Sequence, residues 1–143
     1  MKSKFYVASL FFVLATLILT ACSGGSVSAQ GYGTAEFLKE LREKGAEAES
    51  GEAIEQPFFS VMGTTVNLNG ESVQVFEYDS AETMESDAVL VDADGGTIGT
   101  SMVSWMATPH FYKKGRILVL YIGDNQEMLR LLESVLSAQF AGR

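Results

Sequence analysis

The 143-residue chain carries 10 Lys and Arg against 18 Asp and Glu, a formal net charge of −8. This balance argues against nucleic-acid binding, which needs a basic face to neutralise phosphates. A single cysteine, Cys22, excludes both an intramolecular disulfide and a structural zinc site built on thiolates.

Met1 to Lys4 is a short positive segment, and Phe5 to Ala21 is an apolar run of 17 residues. A permanent membrane span wants about 20 residues, whereas charge, apolar core and small residues in this order make a signal peptide. The run ends in Leu19-Thr20-Ala21-Cys22. Small residues followed at once by cysteine resemble the lipobox of bacterial lipoproteins. That resemblance implies removal of residues 1–21 and a diacylglyceryl thioether on Cys22, carrying fatty-acyl chains such as palmitate. The membrane is then the first partner, held through lipid, because stable anchoring takes two or more chains. Ser23 in place of Asp after the cysteine implies the outer membrane in a two-membrane organism. In a one-membrane organism it implies the outer leaflet of the cell membrane.

Loss of Lys2 and Lys4 with the signal takes the net charge to −10. Residues 22–33, rich in Gly and Ser, are expected to form a flexible tether with a root-mean-square reach of about 18 Å. Residues 34–143 are expected to form one α+β domain, long enough for a hydrophobic core without disulfides.

In that domain, Thr34 reads as the cap of a first helix with Phe37, Leu38 and Leu41 on its apolar face and Gly45 as its stop. Glu47 to Glu55 is weakly patterned and acidic, an edge strand or extended connection. Asn69-Gly70 between Thr64–Leu68 and Glu71–Tyr78 is a strong two-residue hairpin signal. Pairing Leu68 with Glu71 places Val66, Leu68, Val73 and Val75 on one face and Gln74, Phe76 and Tyr78 on the other. Ser80 caps a second helix with a thin stripe of Ala81, Met84, Ala88 and Val91, ended by Asp94-Gly95-Gly96.

A second hairpin is expected from Met102–Tyr112 and Arg116–Ile122, turning through Lys113-Lys114-Gly115 and setting His110 opposite Leu118. Ile117 to Ile122 is apolar on both faces, the pattern of a central strand covered on both sides. The last helix opens with Asp124 as cap and Glu127 three residues on. Its stripe is Met128, Leu131, Leu132, Val135, Leu136 and Phe140. These elements predict an antiparallel sheet of four or five strands, built from two hairpins, with helices mainly on one face.

No constellation compels catalysis. His110 is the only histidine, and no nucleophile elbow accompanies it. It reads as a sheet histidine, with an envelope hydrolase using it as the alternative, since histidine titrates near neutrality. Asp92-Ala93-Asp94-Gly95 misplaces the glycine and lacks the final glutamate of a calcium loop, so it reads as a turn. No metal ligand set and no cofactor are expected, and the chain is read as a non-enzymatic binding or interaction module. Two surfaces are candidates for contact with an envelope protein or small ligand. One is the basic-aromatic hairpin tip, Tyr112, Lys113, Lys114 and Arg116, with His110 beside it. The other is the sheet face of Gln74, Phe76 and Tyr78.

Gln56-Pro57-Phe58-Phe59, Val73 to Tyr78 and Pro109-His110-Phe111-Tyr112 resemble a group of small bacterial lipoproteins of unknown function. The likeness runs from about Gln56 to Gly142. It implies an envelope location and no activity, ligand or catalytic residue.

Overall fold

The structure, a computed structural model, describes residues 31–142. The expected signal peptide, Cys22 and the expected tether as far as residue 30 lie outside the described residues. In chain order the elements are α1 (Thr34–Glu43), β1 (Ala48–Ile54), β2 (Gly63–Leu68), β3 (Glu71–Glu77), α2 (Ala81–Ala88), β4 (Thr97–Ile98), β5 (Ser101–Met102), β6 (Pro109–Lys114), β7 (Ile117–Ile122), α3 (Gln126–Leu136) and β8 (Ala141–Gly142). This is an α+β fold. Six strands form one antiparallel sheet in the order β1-β2-β3-β7-β6-β8, and β4 and β5 form a separate small hairpin.

The first hairpin forms where the sequence places it. Leu68 pairs with Glu71, and Asn69 and Gly70 both take positive φ, 52° and 85°, as a type I′ turn requires. The resulting alternation puts Val66, Leu68, Val73 and Val75 in a core shared with α1 and α3. Phe76 and Tyr78 fall in a second core on the opposite face, under α2 and the loops around Phe59 and Trp105. β7 lies inside the sheet and feeds both cores: Ile117, Val119 and Tyr121 into the first, Leu118 and Leu120 into the second. Two of the three helices thus share a face, and the sheet has cores on both sides.

The second hairpin differs in register from the sequence reading. Lys114 pairs with Ile117 across a two-residue Gly115-Arg116 turn, so His110 faces Tyr121 and not Leu118. Gly115 takes φ +59° while Arg116 does not take positive φ, the glycine-first pattern of a II′ turn, whose twist matches that of the paired strands. A shift of three residues is odd, so it reverses which β7 side chains lie beside His110 and Tyr112. Both now face the α1–α3 side, beside Tyr121 and Val119.

The ends of the domain also depart from expectation. α1 is capped at Gly33, whose N–H donates to Glu36 Oε2 at 2.9 Å. The residue before it, Tyr32, is 2% exposed. Its hydroxyl donates to Glu40 Oε2 at 3.0 Å, and its carbonyl accepts from the Arg116 N–H at 3.0 Å. Tyr32 and Gly33 are therefore packed into the fold. α3 is capped by Asn125, which accepts from the Glu127 and Met128 N–H groups, while Asp124 accepts from the Thr108 hydroxyl. Ser137, at φ +76°, ends that helix. The tail then passes the sheet edge, where Phe140 packs into the second core and Ala141 pairs with Phe111. This tail supplies the sixth strand.

A candidate ligand cleft between β6 and α3

Alternation along β6 sends His110 and Tyr112 to the same face, and α3 packs over that face with Met128, Leu132, Val135 and Leu136 buried. Leu129, Arg130 and Glu133 of α3 stand along the β6 side. Between strand and helix lies a cleft of about 410 Å³, which Gln139, Thr108 and Asp124 also line.

His110 is 4% exposed and Tyr112 is fully buried. The His110 ring lies against Tyr121, centroids 6.0 Å apart and planes 22° from parallel. The Nδ1–H donates to Gln139 Oε1 at 2.6 Å. The amide oxygen can only accept, so the proton in this bond sits on Nδ1. His110 Nε2 and Tyr112 Oη have no hydrogen-bond partner among the described residues. Burial pushes the Tyr112 hydroxyl up to about 12, with the Glu133 carboxylate and then Tyr121 adding to the shift. Tyr112 is therefore a neutral hydroxyl at any physiological pH. An unpaired buried polar atom is costly, about 1–3 kcal/mol, and here two sit side by side on one strand. Neither ring nitrogen of His110 is bonded to a hydroxyl or a carboxylate.

The basic hairpin tip is occupied within the molecule. Lys114 donates to Glu40 Oε2 of α1 at 2.9 Å and to the Val135 carbonyl near the end of α3 at 2.8 Å. Its ammonium also lies 4.1 Å from the Tyr32 ring centroid. Lys113 pairs with Glu85 of α2 and lies over Phe140. Arg116 pairs with Glu77 and donates to the Tyr78 carbonyl. Lys113 and Lys114 tie helices to the sheet and Arg116 ties the turn to β3, so this tip is a set of internal clamps. The sequence shows the charges but not their partners.

The second proposed surface is corrected more sharply. Phe76 and Tyr78 are core residues, 0% and 2% exposed, because α2 and the Phe58-Phe59 loop cover that face. Tyr78 donates its hydroxyl to Asp87 Oδ2 at 2.9 Å, and the Ser60 N–H and hydroxyl donate to the same oxygen at 2.7 and 2.8 Å. Asp87, 8% exposed, thereby pins the loop to α2. Nothing in the sequence marks this role among so many acidic residues. Of the three, only Gln74 stays near solvent. It accepts from Gln56 Nε2 at 2.9 Å and borders a shallow groove of about 380 Å³ with Trp105 and Met106.

Of the residues singled out in sequence, the structure therefore brings His110 and Tyr112 together, with Gln139, Arg130 and Glu133 as neighbours the sequence did not mark. The faint signal for the latter was their i, i+3 spacing on the polar side of α3. Among the described residues, no group of three or more His, Cys, Asp or Glu is arranged to hold a metal ion. No described helix is long and apolar enough to cross a membrane. No protein family, curated protein or solved structure matches the chain.

Proposed function

We propose that this chain is an exported lipoprotein, acylated on Cys22, whose single domain is a non-enzymatic binding module with its site between β6 and α3. The anchor reading is supported by Leu19-Thr20-Ala21-Cys22 at the end of the apolar run. One observation carries the binding reading: His110 and Tyr112 line one cleft, and their Nε2 and Oη atoms are buried without a hydrogen-bond partner among the described residues. Buried polar groups in folded proteins find partners, and here the cleft is where a partner would enter. The non-enzymatic reading is supported by the His110 environment, whose one bonded partner is the Gln139 amide. An amide neither activates the ring as a base nor serves as a nucleophile.

Tyr32 fixes where the tether joins. Its backbone meets Arg116 at the Gly115-Arg116 turn, whereas His110 lies toward the opposite end of the β6–β7 hairpin.

The test is thermal denaturation of the purified chain with and without a low-molecular-weight extract of the cell envelope. A ligand that binds only the folded state raises the midpoint by mass action. The midpoint should rise for the natural protein and rise less for Tyr112→Phe. Equal shifts in both, or none in either, contradict the binding reading.

A further inference from the structure

A second recess lies on the other face of the sheet, around the only tryptophan of the chain. We infer that Trp105 and the stretch from Ser104 to Ala107 form a docking site for an extended segment of a partner protein, one that carries an apolar side chain close to a lysine or arginine. Three observations lead there.

A rigid aromatic ring stands where two depressions meet. The Trp105 N–H donates to the Gly95 carbonyl at 2.7 Å. Its ring meets Phe58 and Phe111 in T-shaped contacts, with centroids 6.0 and 5.9 Å away. The half-buried indole is thus held in one orientation before any ligand arrives, which lowers the entropic cost of binding. Beside it runs an open groove of about 380 Å³, lined by Leu120 and Ile122 of β7, Ser72 and Gln74 of β3, and fully exposed Met106. A methionine in that position adapts its shape to what docks. No charged side chain lines this groove, so it suits an apolar side chain.

The second depression supplies charge. At about 430 Å³, it shares Trp105 and Ala107 with the groove and is lined by the carboxylates of Asp94 and Asp124. No lysine or arginine lines either depression, and the chain as a whole carries a net charge of −8. An acidic segment is repelled there. An ammonium or guanidinium is drawn by the carboxylates and gains further over the face of the indole.

The backbone selects a peptide over a small amphiphilic cation. Among the described residues, no hydrogen bond uses the backbone N–H or C=O of Ser104, Trp105, Met106 or Ala107. A peptide brings its own alternating N–H and C=O groups to such a stretch, and pockets beside it then read the side chains. Alternate residues of an extended chain point to one face, so an apolar residue and a basic one two positions on can enter the two depressions together.

Because Trp105 is the only tryptophan, its emission reports this site alone. The experiment titrates the full-length chain, held in a non-ionic detergent, with three pools of acetylated heptapeptides free of Trp and Tyr. The first pool carries Leu, Ile or Phe two positions before Lys or Arg. The second has Glu in place of the basic residue, and the third has Ser in place of the apolar one. The expected result is a saturable change of Trp105 emission with the first pool, weakened by added salt, and a smaller response to each of the others. Asp124→Asn should weaken first-pool binding about two- to fivefold, the worth of one exposed ion pair. Met106→Arg, at a fully exposed position, should remove it with the circular dichroism unchanged. Asp124 also lines the β6–α3 cleft, so Tyr112→Phe serves as the control and should leave the response intact. No response to any pool overturns the docking site and leaves the cleft untouched. Equal responses to the first and second pools, or to the first and third, overturn it as well, since the site then reads only stickiness or only charge.

Discussion

His110 lies directly across the β6–β7 ladder from Tyr121, and the two rings stack with centroids 6.0 Å apart. This stack orients the imidazole with Nδ1–H on Gln139 and Nε2 buried without a hydrogen-bond partner among the described residues. Tyr121 is itself held by donating its hydroxyl to Glu71 Oε2 at 2.6 Å. The site thus depends on the register of one hairpin: a turn of three residues in place of two would have set Leu118, not Tyr121, beside the histidine.

That register separates two tyrosines with opposite expected behaviour. Tyr78 donates to the buried Asp87 carboxylate, and Tyr78→Phe should cost about 1–3 kcal/mol of stability. Tyr112 has no partner to lose, so Tyr112→Phe should leave stability within about 0.5 kcal/mol or raise it. Urea midpoints at constant m-value read the difference. A large loss in Tyr112→Phe would mean that its hydroxyl is a structural bond and not a ligand contact.

The hairpin tip predicts a graded series. Lys114 joins α1, α3 and the Tyr32 ring at once; Lys114→Met should cost about 1 kcal/mol, with part of the loss surviving high salt because the Val135 carbonyl bond is not an ion pair. Lys39, paired with Glu43 one turn along an exposed helix face, should be replaceable at less than about 0.5 kcal/mol. Equal costs at both positions would show that the tip does not clamp the helices.

Alkaline pH should destabilise the domain. Burial above all pushes the hydroxyls of Tyr32, Tyr78, Tyr112 and Tyr121 upward, Tyr112 to about 12. In the unfolded chain these groups release protons near the ordinary value of about 10. Above that pH the native state binds more protons than the unfolded state, so stability falls as pH rises. Below it both states are protonated and the contribution is complete. Urea midpoints should hold steady to about pH 9 and fall from about pH 10 upward, in step with delayed tyrosinate absorbance. A midpoint unchanged to about pH 11 contradicts the burial of these hydroxyls.

At the other end of the chain, Cys22→Ala should abolish incorporation of labelled fatty acid and leave the signal uncleaved at that site. Unchanged labelling and membrane fractionation would remove the lipoprotein reading while leaving the cleft intact.

Much of the fold was legible where local chemistry decides it. Asn69-Gly70 allows one register, and the spacing from Met128 to Leu136 allows one helical face. The second hairpin was not legible in the same way, because Lys113-Lys114-Gly115 is itself a plausible three-residue turn. Only the packing of β7 against both cores selects the two-residue alternative. Phe140 continues the helical stripe in sequence, yet Ser137 breaks the helix and sends it to the other face, a tertiary choice that periodicity does not carry. Tyr32 looked like part of a Gly-rich tether, and its burial depends on Glu40 and Lys114, eight and eighty-two residues away. The cleft was half legible for the same reason: His110 and Tyr112 share one strand, but their neighbours Arg130, Glu133 and Gln139 arrive only through docking of the last helix and its tail.

The most direct test of the cleft as a binding site is site-specific photo-crosslinking in intact cells. A crosslinking residue replaces exposed Arg130 on the cleft rim, and in a second strain it replaces Lys39, whose side chain is 75% exposed on α1 away from the cleft. The account predicts a discrete adduct from position 130 that disappears in the Tyr112→Phe background, and none from position 39. The same adducts from both positions, or an adduct at 130 indifferent to Tyr112, would contradict it.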